Sequence, residues 1–70
     1  MSVYRVIDVI GTSTKSWEDA ATTAVKTAKG SLRDLRVAEV VKQDLDLGEG
    51  NEVTYRIKLQ LSFKYEGGPA

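Results

Sequence analysis

The chain has 70 residues, with ten basic and ten acidic side chains and neither histidine nor cysteine. That length allows one small domain, and the missing residue types exclude disulfides, thiolate nucleophiles, sulfur-ligated zinc and histidine-based acid–base catalysis. A formal net charge of zero gives no reason to expect nucleic acid or an anionic membrane as a partner.

No apolar run approaches transmembrane length, and the opening "MSVYRVIDVI" lacks the charged, apolar, small order of a signal peptide, so a cytoplasmic protein is expected. The first strand is read at Val3 to Ile10. Val3, Ile7 and Val9 lie on one side and Tyr4, Val6 and Ile10 on the other, a pattern that suits a strand covered on both faces. Gly11 is expected to end it. In "GTSTKS" the glycine and the Lys-Ser pair hint at phosphate, but Walker spacing is absent, so helix capping is the expected role.

Ser16 with Asp19 reads as a capping pair, followed by a helix from Trp17 to Lys29. Trp17, Ala20, Ala21, Ala24, Val25 and Ala28 share one face at helical spacing, while Thr22, Lys26 and Lys29 face water. Trp17 is expected as an anchor between helix and sheet, and Gly30 as the C-terminal cap. A second strand spans Arg36 to Leu47, less cleanly alternating. "GEGN", Gly48 to Asn51, is the hairpin turn into a third strand, Val53 to Tyr65. There Val53, Tyr55, Ile57, Leu59, Leu61, Phe63 and Tyr65 alternate without a break against Thr54, Arg56, Lys58, Gln60, Ser62 and Lys64. Residues 1–66 form the domain and 67–70 a disordered tail.

The fold class is α+β: a β-α-β-β order with a three-stranded antiparallel sheet partly wrapped around one helix. A helix of this length measures about 20 Å, while the two long strands each approach roughly 40 Å. The helix covers about half of them. An uncovered apolar strip of that size is rare in soluble monomers, so other copies of the chain are expected to cover it. The protein is read as an obligate homo-oligomer.

"YRVIDVIGTS", "SWEDAA", "LRVAEVVKQ" and "TYRIKLQLSFKYE", in this order over nearly the whole chain, resemble the dodecin family. The resemblance implies a hollow homododecamer that binds flavin (FMN or riboflavin) in pockets at subunit interfaces and serves in flavin storage. The family's flavin-stacking tryptophan stands immediately before "AEV", where this chain has Val37. The glutamine that bonds the flavin's pyrimidine edge follows the tyrosine of the last strand, where this chain has Arg56. A further polar contact falls near Lys42. Val37, Lys42 and Arg56 are therefore the candidate cofactor-binding residues, and the two replacements imply weak flavin affinity, since a stacked aromatic pair contributes about 1 kcal/mol beyond its burial. Arg56 also suits a phosphate or carboxylate.

The same departures resemble the calcium-binding branch of the family, which would make the protein a metal-ion buffer. "DLDLGEGNE" supplies Asp44 and Asp46 as candidate calcium ligands, on one strand face about 7 Å apart, so a site needs donors from elsewhere. The loop is not an EF-hand. A solvated acidic turn is the plainer reading, and a shell without any ligand of its own is a third. Asp8 is expected in an intersubunit salt bridge, with Arg5 or Arg56 as partner. Arg56, Lys58 and Lys64 form a basic stripe on the polar face. With no carboxylate pair in acid–base geometry either, a binding or storage protein is expected rather than an enzyme.

Overall fold

The structure is a computed structural model that describes residues 2–65; the expected domain end at 66 and tail at 67–70 lie outside the described residues. Its elements are β1 (Tyr4–Ser13), α1 (Trp17–Ser31), β2 (Leu35–Leu47) and β3 (Val53–Lys64), the β-α-β-β order read from the sequence. The strands make one antiparallel sheet in the order β1-β3-β2. The last strand is thus the central one, which is why its alternation is the cleanest: it is paired along both edges with its apolar side under the helix. Ile57, Leu59 and Leu61 are buried there with Ala20 of α1. The remaining members of the expected helix stripe, Trp17, Ala21, Ala24, Val25 and Ala28, pack around them.

Gly11 does not end β1. The strand continues to Ser13, and Gly11 pairs with Ile57 beneath the helix. A Cβ at this position would overlap the Ala20 carbonyl oxygen and stand 2.9 Å from the Ala24 Cβ. The missing side chain lets α1 cross the strand at close range. Gly30 is a second correction. It is an ordinary helical residue, and α1 runs on to Ser31, closed by the Leu32 N–H donating to the Ala28 carbonyl at 2.8 Å. The left-handed residue in this connection is Asp34, with φ 57°, a conformation that aspartate tolerates better than most side chains.

At the other end of α1, the Ser16 hydroxyl accepts the Asp19 N–H at 2.9 Å, as the capping pair requires. The reciprocal half is absent. Asp19 instead accepts from the Ser13 hydroxyl at 2.6 Å, and Ser13 Oγ in turn accepts from the Lys15 N–H at 2.9 Å. β2 begins one residue before the expected Arg36. Its uneven pattern has a cause: the register against β3 shifts between Leu35 and Val37 and again between Val40 and Lys42. β3 stops at Lys64, although the Tyr65 N–H still donates to the Val3 carbonyl at 2.7 Å.

α1 is about 22 Å long at 1.5 Å per residue, against a longest molecular dimension of 55 Å. The cover it gives is correspondingly partial. On β1 Ile7, Val9 and Gly11 lie under it, while Tyr4, Val6 and Ile10 remain 48%, 51% and 58% exposed. The two-sided cover expected for β1 is therefore one-sided within a single chain, because one helix serves one face of the sheet. Leu47, Val37 and Val40 are likewise open to solvent. No helix among the described residues is long and apolar enough to cross a membrane.

Candidate functional site

The sheet face turned away from α1 carries the polar side chains of β3. The hairpin turns through Gly50, whose φ of 79° is a left-handed value that glycine adopts freely. Below the second bulge β2 and β3 pair symmetrically about that residue. Leu47 meets Val53, Asp46 meets Thr54, Asp44 meets Arg56 and Lys42 meets Lys58.

Two of these pairs define the site. Arg56 Nε donates to Asp44 Oδ1 at 2.8 Å, and Arg56 Nη2 donates to Asp44 Oδ2 at 3.0 Å. This is a two-point fork, the geometry in which guanidinium and carboxylate match best. The hydrogen bonds from Arg56 hold the Asp44 carboxyl below its ordinary pKa, and the Lys42 ammonium adds to the effect. Reciprocally, Asp44 raises the Arg56 guanidinium, with a smaller push from Asp46. The second pair sets Lys42 and Lys58 directly opposite each other, two like charges on neighbouring strands.

The Asp44 backbone is fixed from the other side. Trp17 Nε1 at the start of α1 donates to the Asp44 carbonyl at 3.1 Å, and its ring meets Tyr55 edge-on with centroids 5.2 Å apart. Tyr55 precedes Arg56, so one tryptophan braces both strands of the ion pair. The expected anchor role of Trp17 is thus seen in two contacts.

A cavity of about 160 Å³ opens over this region, lined by Ile10, Lys42, Asp44, Arg56 and Lys58. Of the expected cofactor-binding residues it brings Lys42 and Arg56 together and leaves Val37 out. Val37 pairs with Ser62, six residues along β3 from Arg56 and so about 20 Å away at 3.3 Å per residue. A single ligand reaches all three only with a second copy of the chain. Of the expected metal ligands, Asp44 has both carboxylate oxygens engaged by Arg56, while Asp46 is exposed opposite Thr54. Among the described residues no three acidic side chains converge as a metal group would require. The described residues of one chain therefore hold no ready-made cluster of carboxylates for calcium, which takes six to eight oxygens.

Lys58 and Ile10 were not singled out from the sequence as members of this site, nor was the Asp44–Arg56 pair. The signal for the pair was present in the turn: a hairpin centred on Gly50 sets Asp44 across from Arg56. Within a single chain Asp8, expected in an intersubunit bridge to Arg5 or Arg56, stands 4.0 Å from Lys58. The register explains this, since Arg56 faces Thr12 across the β1–β3 seam and Arg5 lies over the Phe63 ring at 5.9 Å. A larger apolar cavity of about 460 Å³ separates α1 from β1, lined by Ile7, Val9, Ala24, Ala28 and Leu32 among others.

Comparison with known proteins adds three findings. The family model for Dodecin matches residues 3–66. Over 64 residues the chain is 56% identical to the calcium dodecin of Mycobacterium tuberculosis, covering 91% of this chain and 90% of that protein. Among solved structures, the calcium-chelating antigen calcium dodecin of M. tuberculosis, determined with a novel calcium-binding site, matches with a TM-score of 0.86 at 51% identity over 99% of each chain. A dodecin from Streptomyces coelicolor matches at 0.87 and 31% identity over 96% of each chain. A T. thermophilus dodecin mutant gives 0.85 at 30% identity, over 94% of this chain and 97% of that one.

Proposed function

Since the chain belongs to the dodecin family, we propose that it is a binding and storage protein, working as a hollow homododecamer, whose ligand is calcium and whose flavin affinity is weak. The observation that carries this reading is the closed Asp44–Arg56 fork. At the position where flavin binders offer a neutral amide, this chain has a guanidinium already committed to a carboxylate. At the stacking position it has Val37, which offers no aromatic face. A flavin would lose both its platform and its hydrogen-bond partner, a stacked pair alone contributing about 1 kcal/mol. The similarity to calcium dodecin supports calcium in its place.

Because one chain lacks the donor set, calcium sits between copies. Asp46 is the carboxylate ready to serve, and Asp44 joins only where Arg56 lets go. Val37, Lys42 and Arg56 then line the remnant of the flavin-type pocket at the subunit boundary. Assembly follows from the uncovered strip on the long strands, which neighbouring copies shield. Nothing in the residues near the site supplies an acid–base pair, which fits a sequestering role.

Calorimetry with calcium on the chelator-treated protein tests the reading. Saturable heat and a raised Tm are expected, and Asp46→Asn weakens both; absence of heat overturns calcium as the ligand. Fluorescence titration of FMN is expected to show no submicromolar quenching, and strong quenching would restore flavin. Native mass spectrometry is expected to give twelve copies. Silence in both titrations would leave a shell without a small ligand.

A further inference from the structure

The cavity above the hairpin has a charge that calcium does not explain. Lys42, Arg56 and Lys58 line it with three positive charges, and Asp44 offsets one. We infer that this notch is a binding site for a small oxyanion, of the size and charge of inorganic phosphate. Of the proposed calcium ligands, Asp46 does not line it, while Asp44 lines it with both carboxylate oxygens held by Arg56.

Three features of the notch carry the inference. The first is the unneutralised pair of ammonium groups. Lys42 and Lys58 are directly opposed across β2 and β3, an arrangement that costs stability in a hairpin unless something negative sits between them. Among the described residues Lys42 has no salt-bridge partner, and the Lys58 contact to Asp8 is loose at 4.0 Å with both side chains about half exposed. An anion placed between the two lysines would receive donors from both and turn a repulsive pair into a clamp.

The second is the state of Arg56. Its fork to Asp44 uses two of the five N–H donors that a guanidinium carries, and it holds the plane still. The remaining donors are thereby presented in a fixed orientation, so an anion does not have to order a free arginine on binding. Asp44 thus acts as a positioning residue for Arg56, itself held through its carbonyl by Trp17. Ile10 forms the apolar side of the notch.

The third is size. The cavity of about 160 Å³ lies below the roughly 300–1,000 Å³ typical of pockets for drug-sized ligands. It corresponds to about five waters at roughly 30 Å³ each. A tetrahedral oxyanion fits that space within a single chain; a fused aromatic ring system does not. The same chemistry would also greet the phosphate of a phosphomonoester such as FMN, with the rest of the molecule outside the notch.

The test is titration of inorganic phosphate into the assembled, chelator-treated full-length protein in chloride buffer, followed by calorimetry and by the 31P line. Saturable binding is expected, and a double variant Lys42→Gln, Lys58→Gln is expected to weaken it by at least about tenfold, the loss of a charge-assisted hydrogen bond or more. The charge-conserving Lys42→Arg is expected to retain most of it, which a merely structural effect of the lysines would not produce. Parallel titrations with FMN and riboflavin separate the two sources. Phosphate that competes with FMN while riboflavin stays silent supports the oxyanion site, as does phosphate binding with no response to FMN. Absence of phosphate binding at 10 mM, a concentration on the order of strong millimolar saturation, overturns the inference, as does binding that survives the double variant. Calcium is absent from every arm, so a failure here leaves the calcium titration untouched.

Discussion

Asp44 and Arg56 stand directly opposite each other on β2 and β3 and share two hydrogen bonds, of 2.8 and 3.0 Å. The pair ties the two strands of the hairpin together, and its protonation has a defined direction. Asp44 is held below its ordinary value of 3.8, chiefly by its hydrogen bonds to Arg56. A carboxylate with a lowered folded-state pKa stabilises above its unfolded value and loses that contribution only as pH falls through the lowered one. Asp44→Asn is therefore expected to lower Tm at neutral pH by an amount that persists down to the usual carboxylate range and closes only in stronger acid. Melting curves of both proteins against pH check this; a gap that closes well above pH 4, roughly the unperturbed aspartate value, refutes it.

Gly11 in β1 and Gly30 in α1 are expected to respond in opposite directions to alanine. Gly11→Ala drives a methyl into the Ala20 carbonyl and the Ala24 side chain, and a backbone carbonyl inside a helix cannot move aside. Overpacking of this kind costs about 1–3 kcal/mol. Gly30→Ala meets nothing within 4 Å and replaces a helical glycine, so it is expected to stabilise by about 0.5 kcal/mol near a helix end. Urea denaturation of the pair decides it, and equal effects would mean that the close approach of α1 to β1 is absent.

Trp17→Phe keeps an aromatic edge against Tyr55 and removes the donor to the Asp44 carbonyl. A loss of about 1 kcal/mol is expected, the net value of one hydrogen bond. The effect should shrink in an Asp44→Pro background only if the hairpin has already been broken, so the single variant, compared with Trp17→Leu, is the informative measurement. Trp17→Leu is expected to cost more, through the lost aromatic contact.

Assembly makes a prediction of its own. Among the described residues Ala20, Ile57, Leu59 and Leu61 are the buried hydrophobic ones, a core too small to hold a domain of this length alone. Tm is expected to rise with protein concentration over the range in which subunits associate, because stability includes the association free energy. Light scattering run beside the melts checks it, and a well-folded lone subunit with a concentration-independent Tm would contradict it.

The parts of the fold that depend on periodicity were legible. β3 announced itself by alternation, and the alanine face of α1 by its spacing. Both signals arise because one side of the element is dry. Punctuation was less legible: Gly11 and Gly30 are the same residue type near element ends, yet one is a crossing point and the other an ordinary helical residue. What distinguishes them is the position of α1 over β1, which local sequence does not contain. The bulges in β2 were visible only as untidiness. At the site, the chemistry of Arg56, Lys42 and Asp44 was readable, but their company was not. Partnership depends on register, and Val37 lies beyond a bulge that brings it to the same outer face as Lys42 but opposite Ser62, four residues along β3 from Lys58.

Trp17 is the only tryptophan in the chain, and its indole rests on the backbone of the residue whose carboxylate carries the Arg56 fork. The molecule therefore contains its own optical probe. A ligand that pries the fork apart and shifts the Asp44 backbone is expected to disturb the hydrogen bond under the indole and move the emission maximum, without a label having been attached. Binding to the outer face of the sheet can thus be watched by light from the inner one.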